Sequence, residues 1–390
     1  MRTLAILTTN RADFSLLNPL IQRLMEKEDL EVRVLVTGAH LSKEYGYTVK
    51  EIEEAGLPID VKIEILENSD TPAAVSETMA NALNGFASYF ERRKPDALLV
   101  LGDRTEVLAV ALAAANVRIP VFHLSGGETT EGAMDEYVRH CLTKIARYHF
   151  TATEEFRRRV IQLGEHPSRV FSVGALSVEN AVYSQRSTKE ELESFLHHEI
   201  TKPLAVCTFH PVTLEEGTAK VQIKEILKAI ESFPNMLFLW TKANSDVGGR
   251  TINRILEAYA ETHDNTVLVD SLGSARYLCA LSMAEFVLGN SSSGLSEVPS
   301  FGIPTINIGD RQKGRPRAPG VIDCPPECDA VIAAIQKASS AEFRKLAAER
   351  INPYGDGNTS SKIADKVDEL MNGDLNIRKS FYDMEGSEVR

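Results

Sequence analysis

Acidic residues that follow directly on short apolar runs are the chemistry-bearing feature of this sequence. Ala97–Leu101 runs into Gly102-Asp103-Arg104, and residues 119–124 run into Ser125-Gly126-Gly127-Glu128. Asp135 comes one short loop later. Short apolar runs bounded by Gly read as buried strands. The Ala/Val/Leu-rich segment between them reads as a helix. In an open parallel sheet, ligands bind outside the carboxyl ends of the strands. Asp103, Glu128 and Asp135 are thereby expected on one rim, where three carboxylates form a candidate acid/base site. A plainer reading competes at Asp135. Asp135 with Arg139, and Glu136 with His140, sit four apart on a helix face as ordinary i,i+4 pairs.

A second set of residues suits an anion. Asn290-Ser291-Ser292-Ser293-Gly294 follows an apolar run. Hydroxyls, backbone amides and a helix start can cradle a phosphate dianion, although the same string also reads as a Ser-rich N-cap. Each anion–helix contact is worth only about 0.3–2 kcal/mol, so several donors must act together. Glu297 follows on the first turn. It is placed to take a ribose diol, as acids do in other nucleotide folds, or to offset the helix dipole. Arg311 lies in the basic loop Gly309-Asp310-Arg311-Gln312-Lys313-Gly314-Arg315, which either supplies charge to a phosphate or is a solvated charge run. His210 leaves a strand in Phe-His-Pro and suits a phosphate contact, a proton donor or a structural role. Arg11 follows the first strand, as an anion contact or a solvated side chain.

The elements that must position these groups alternate throughout. Strands are expected near residues 4–8, 31–37, 60–65, 97–101, 119–124, 149–152 and 170–173, with helices between, the first over 16–27. A polar stretch over 183–202 follows. A second alternating series then has strands at 204–209, 236–241, 266–269, 286–288 and 305–308, and a last helix at 360–371. Strand–helix alternation means doubly wound parallel sheets. The fold class is α/β, two Rossmann-like domains facing a central cleft, closing over a ligand by a hinge. The expected division is residues 1–183 and 184–371, with the tail 372–390 packing back on the first domain.

Composition bounds the function. The 390 residues carry 43% hydrophobic and 25% charged side chains, ordinary globular usage, and enough chain for two cores. A net charge of −12 argues against a nucleic-acid surface. It leaves room for a small anionic ligand held by a few Arg side chains. Five scattered Cys, without a second pair or His at zinc spacing, point to a reduced cytoplasmic protein with no metal cluster. No run reaches membrane-spanning length. A G-x-G-x-x-G fingerprint is absent after the first strand.

The motifs GDRTE, HLSGGETTEGAMDEYVRH, FHPVT, GNSSSGLSEVPSFGIPTINIGDRQKGR and TTNRADFS resemble those of the UDP-N-acetylglucosamine 2-epimerase family. The resemblance runs from about residue 3 to residue 370, and the GDR and GGE pair is closest to the hydrolysing branch that feeds sialic acid synthesis. It implies a glycosyltransferase-B type fold and a UDP-sugar substrate, with no cofactor and no metal. It implies Arg11, Arg104, His210, Asn244, Ser291, Ser292, Glu297 and Arg311 as nucleotide contacts, and Asp103, Glu128 and Asp135 as catalytic acids. Family members associate, so a homo-oligomer, dimer or tetramer, is expected. The reaction would convert UDP-N-acetylglucosamine and water to N-acetylmannosamine and UDP through 2-acetamidoglucal. Asp103 or Asp135 would serve C2, and Glu128 the water or the oxocarbenium carbon. The alternatives are the same reaction on UDP-N,N′-diacetylbacillosamine for legionaminic acid, a non-hydrolysing epimerase, and, from another class, a glycosyltransferase.

Overall fold

The computed structural model describes all residues except 68, 70, 130–134, 213–216, 244–247 and 385–390. The chain divides into two compact units, Met1–Leu176 with Asn358–Arg390, and Ser177–Gly357. Both are parallel sheets layered with helices, which is the expected α/β class.

The first unit has seven strands: β1 (Arg2–Thr8), β2 (Leu30–Thr37), β3 (Ile59–Ile63), β4 (Ala97–Leu101), β5 (Val121–Leu124), β6 (Tyr148–Thr151) and β7 (Val170–Ser172). Their order is β3-β2-β1-β4-β5-β6-β7, all parallel. The strands are apolar on both faces because helices cover both. Leu4, Ile6, Val34, Leu99 and Phe122 pack with the helix Arg11–Met25 on one side. Ala5, Leu7, Leu35, Leu98 and Val100 pack with Pro72–Arg92 and Thr105–Asn116 on the other.

The second unit has β8 (Leu204–Thr208), β9 (Leu237–Thr241), β10 (Thr266–Val269), β11 (Ala284–Gly289), β12 (Thr305–Ile308) and β13 (Val321–Cys324). Their order is β10-β9-β8-β11-β12-β13. Trp240, Phe238 and Phe286 fill one face with the helices Ala219–Ile230 and Cys328–Ser339. Val206, Leu239 and Leu281 belong to the core on the other face.

Three details differ from the sequence reading. The last helix, Thr359–Met371, belongs to the first unit and not to the second. Its Ile363, Ala364, Val367 and Met371 share a core with Leu17, Leu20, Ile21 and Leu24, and Arg23 Nε donates to Ser360 Oγ at 2.7 Å. Strand β13 was not foreseen, because Val-Ile-Asp-Cys is too short and mixed to signal a strand by pattern. The first helix starts at Arg11, five residues before the expected start, because Asn10 caps it by accepting from Asp13 N at 3.0 Å. Among the described residues, no helix is long and apolar enough to cross a membrane.

Candidate active site

Each sheet reverses its strand order once, between β1 and β4 in the first unit and between β8 and β11 in the second. Such switch points are where open α/β sheets bind ligands. Asp103 and Arg104 follow β4 at the first, and His210 and Asn290 follow β8 and β11 at the second.

In the first unit, β4 and β5 pair from Leu98↔Val121 to Leu101↔Leu124, so their exits are neighbours. Asp103 leaves one and Glu128 the other. The second exit is tightly built. Ser125 adopts a left-handed backbone (φ 66°), an uncommon conformation for a residue with a side chain. Gly127 follows at φ 79°, and a Cβ there would lie 2.4 Å from the Phe156 carbonyl, so only glycine fits.

Arg139 joins the two exits. It lies on the helix Asp135–Ile145 and its side chain is 2% exposed. Its Nε donates to Asp103 Oδ2 at 3.0 Å and its Nη2 to the same oxygen. Its Nη1 donates to the Glu128 carbonyl at 2.7 Å and to Glu136 at 3.1 Å. The two i,i+4 pairs of the plainer reading fare differently. His140 does meet Glu136, at 3.1 Å, whereas Arg139 reaches across to Asp103. Asp135 opens the helix, and its carboxyl is raised above the ordinary value by partial burial and by the charge of Asp103.

Behind this cluster, His123 on β5 is fully buried, and burial lowers its pKa to about 3. The neutral ring contacts the Gly102 carbonyl through Nε2 at 2.8 Å. Gly102 accepts, so Nε2 must be the protonated nitrogen. Nδ1 is buried with no hydrogen-bond partner among the described residues. His123 therefore ties β5 to the turn that presents Asp103.

Arg104, half-exposed, donates Nε to Glu106 at 2.5 Å. Burial opposes its charge, but Glu106, Asp13 and Asp135 outweigh that and carry its pKa above the ordinary value. Asp13 is raised by burial, against the Thr9 hydroxyl at 2.6 Å and the Arg104 charge. Asp13 and Glu106 are thus members of the cluster that were not singled out from sequence, although both lie inside the quoted motifs. Arg11 points elsewhere, with its Nε 3.1 Å from Glu51 and 73% of its side chain exposed. A pair this exposed contributes at most about 1 kcal/mol, so an anion competes for it easily.

In the second unit, β8 and β11 pair and their exits are clamped by one buried side chain. Asn290 Oδ1 accepts from His210 N at 2.7 Å, and its Nδ2 donates to the His210 carbonyl at 2.8 Å. The Asn290 carbonyl takes Arg311 Nη1 at 3.1 Å and Gln312 Nε2 at 2.9 Å. His210, Arg311 and the Ser291-Ser292 turn thus converge on Asn290, which the sequence reading placed in the cradle without giving it this joining role. The turn enters the short helix Ser293–Ser296, where Gly294 N donates to the Ser291 carbonyl at 3.1 Å and Leu295 N to the Ser292 carbonyl at 3.0 Å. Glu297 follows. Burial pushes its carboxyl up to about 7, against a Ser293 Oγ hydrogen bond at 3.2 Å. Asn244 lies outside the described residues.

A model of the UDP-N-acetylglucosamine 2-epimerase family matches residues 22–368. The chain belongs to that family. It is 38% identical over 384 residues to the GDP/UDP-N,N′-diacetylbacillosamine 2-epimerase (hydrolyzing) of Campylobacter jejuni, covering 98% of this chain and 99% of that one. It is 36% identical over 385 residues to the polysialic acid biosynthesis protein P7 of Escherichia coli, covering 98% of each. Among solved structures, the fold of this epimerase-family chain is similar to that of the UDP-GlcNAc 2-epimerase from Neisseria meningitidis bound to UDP-GlcNAc. The TM-score is 0.78 at 21% identity, over 94% of this chain and 99% of that one.

Proposed function

We propose that this chain is a hydrolysing 2-epimerase of a UDP-2-acetamido sugar, with UDP-N-acetylglucosamine as substrate and N-acetylmannosamine and UDP as products. The observation that carries the reading is Arg139 at the exits of β4 and β5, bonded to the Asp103 carboxylate and the Glu128 main chain, with the Asp135 carboxyl within reach of the charges of Asp103 and Arg139. The C2 proton of the substrate is not acidic while C1 is an acetal carbon. Leaving-group departure must come first. As the C1–O bond breaks, C1 gains oxocarbenium character, and a carboxylate takes the C2 proton. UDP and 2-acetamidoglucal result. Water then adds its hydroxyl to C1, and a proton returns to C2 on the opposite face.

Two proton carriers at C2 and one group for the water account for three carboxylates. Asp135, whose basicity is raised, takes the C2 proton in this reading. Asp103, held by Arg139, serves the opposite face, and Glu128 orients the water. The leaving diphosphate needs concentrated donors. Arg311 and the Ser291-Ser292 turn supply them, and Glu297 takes the ribose diol.

A second reading has support in the 38% identical Campylobacter jejuni relative, whose name specifies N,N′-diacetylbacillosamine and hydrolysis. That sugar differs at C4 and C6, remote from C1 and C2, so the same carboxylates would serve it. Proton NMR in D₂O with each UDP-sugar decides. Free N-acetylmannosamine deuterated at C2, together with UDP, is expected from UDP-N-acetylglucosamine. Turnover of only the diacetylbacillosamine compound moves the substrate to the second reading. A deuterated UDP-sugar without free sugar overturns hydrolysis.

A further inference from the structure

The helix Asp135–Ile145 carries Asp135 and Arg139 near one end, and its other end is held by a segment remote in sequence. After Met371 the chain runs back over the first unit. Tyr148 OH donates to the Asp374 carbonyl at 3.2 Å, and Arg147 Nη1 to the Arg378 carbonyl at 2.6 Å. Lys379 then turns inward, its side chain 18% exposed. Its Nζ donates to the Ala146 carbonyl at 2.8 Å, the Thr143 carbonyl at 3.4 Å and Glu165 Oε2 at 2.8 Å. Thr143 belongs to the last turn of the helix, whose carbonyls lack partners within the helix. A cation there also complements the negative end of the helix dipole.

Glu165 is the meeting point. Its side chain is 1% exposed, and it accepts from Lys144 of the helix at 2.6 Å and from Lys379 of the tail. His149 Nε2 of β6 stands 3.3 Å from Oε2, the oxygen that Lys379 also holds. The register of the tail is fixed just beyond. Tyr382 N donates to the Gly164 carbonyl at 2.9 Å. A Cβ on Gly164 would lie 2.3 Å from the Phe381 ring, so the ring occupies space that only glycine leaves. Lys144 sits over that ring at 4.9 Å.

We propose that Lys379 is a positioning residue for the reaction: its ammonium fixes the far end of the helix Asp135–Ile145, and through that helix the placement of Asp135 and Arg139 against Asp103. The helix is eleven residues long, about 16 Å at 1.5 Å per residue. A small tilt at the clasped end moves the reacting end by a comparable distance. Misplacement by about 1 Å costs on the order of 100-fold in rate. The activity consequence rests on the epimerase reading; the mechanical one does not.

The test compares full-length Lys379→Met, which keeps the stem and loses the charge, with Lys379→Arg, which keeps the charge. Two measurements are made: steady-state kinetics on UDP-N-acetylglucosamine and hydrogen exchange of the helix amides. Lys379→Met is expected to lower kcat by roughly 10- to 100-fold, with KM and UDP affinity within about twofold, and to speed exchange in residues 138–145. Lys379→Arg should recover most of kcat. Should Lys379→Met fail to fold, Phe381→Ala, which frees the tail at an exposed ring, should give the same split. Unchanged helix exchange in the folded variants overturns the inference whatever their activity. So does a loss confined to thermal stability, with kcat intact. Wild-type protein that turns over no UDP-sugar overturns the epimerase reading instead, and the exchange comparison still decides on the clasp.

Discussion

Arg139 spends two of its three guanidinium nitrogens on a single oxygen of Asp103 and uses the third to hold the main chain of Glu128. One side chain thus sets the spacing of two carboxylate-bearing turns. Lysine cannot reproduce this fork. Losing one member of a buried ion pair costs about 3–5 kcal/mol. Arg139→Lys is therefore expected to drop kcat by at least about 100-fold and to lower the unfolding temperature, read by UDP release and by calorimetry. Wild-type turnover by Arg139→Lys would show that the fork does not position Asp103.

On the proposed role of Asp135 as the base at C2, its carboxyl is expected to set the acid limb of the pH profile. Its carboxyl is raised by partial burial and by the charge of Asp103. A base must be unprotonated to act. Activity should therefore fall with decreasing pH through a value above the ordinary aspartate range, not within it. Asp135→Asn should lose about 100- to 10,000-fold in kcat. It should also stop deuterium entry at C2 in D₂O. Deuterium exchange surviving in Asp135→Asn would assign the C2 proton to another carboxylate.

The rim of carboxylates was legible because Gly-acid exits after apolar runs mark strand ends, and strands joined through one helix are commonly neighbours, as β4 and β5 are. The role of Arg139 was not, because helical spacing pointed it at Asp135, whereas the fold turns it toward a strand exit 36 residues back in the chain. Asn290 was legible as part of a polar turn. Its clamp on His210 depends on β8 and β11 being neighbours, which no local pattern states. The placement of the last helix was lost for a similar reason. Its apolar stripe of Ile363, Val367 and Met371 says that it packs, but not against which sheet.

His123 should behave as a donor rather than as a titrating group. Its ring is held neutral, at about 3, by burial, and Nε2 serves the Gly102 carbonyl. A glutamine side chain can bring an N–H to nearly the same point, and leucine cannot. His123→Gln is expected to retain most of kcat. His123→Leu takes this donor from the part-buried Gly102 carbonyl, at a cost of about 1–3 kcal/mol in stability, and should lose kcat with it. The kinetics of both variants on one substrate preparation check this. Equal loss in both would mean that the ring's shape, and not its hydrogen bond, supports the turn.

On its proposed role at the ribose diol, Glu297 is expected to link nucleotide affinity to pH. Burial raises its carboxyl to about 7. If the carboxylate accepts the ribose hydroxyls, binding must release a proton whenever the group starts protonated. UDP affinity should then weaken as pH falls below about 7, approaching tenfold per pH unit for one linked proton. Titration calorimetry from pH 5.5 to 8.5 in buffers of different ionisation heat, a range of about 1.5 units either side of that value, measures both the slope and the released proton. Glu297→Gln should flatten the profile. A flat profile in the wild type would remove the diol role.

Glu165 ties stability to acid. Burial alone would raise its carboxyl, but His149, Lys144 and Lys379 together lower it to about 2, from 4.5 in an unfolded chain. A carboxyl depressed by folding stabilises the native state above its unfolded value and loses that contribution as protons return. The first unit should therefore be fully supported above pH 4.5 and weaken progressively as pH falls toward 2. Glu165→Gln should be less stable at neutral pH, because Lys144 and Lys379 lose their counter-charge, and its stability should respond less to pH over that window. Urea unfolding followed at several acidic pH values checks both halves. A variant as stable as wild type at pH 7 would mean that the two lysines are held by the helix and loop carbonyls alone.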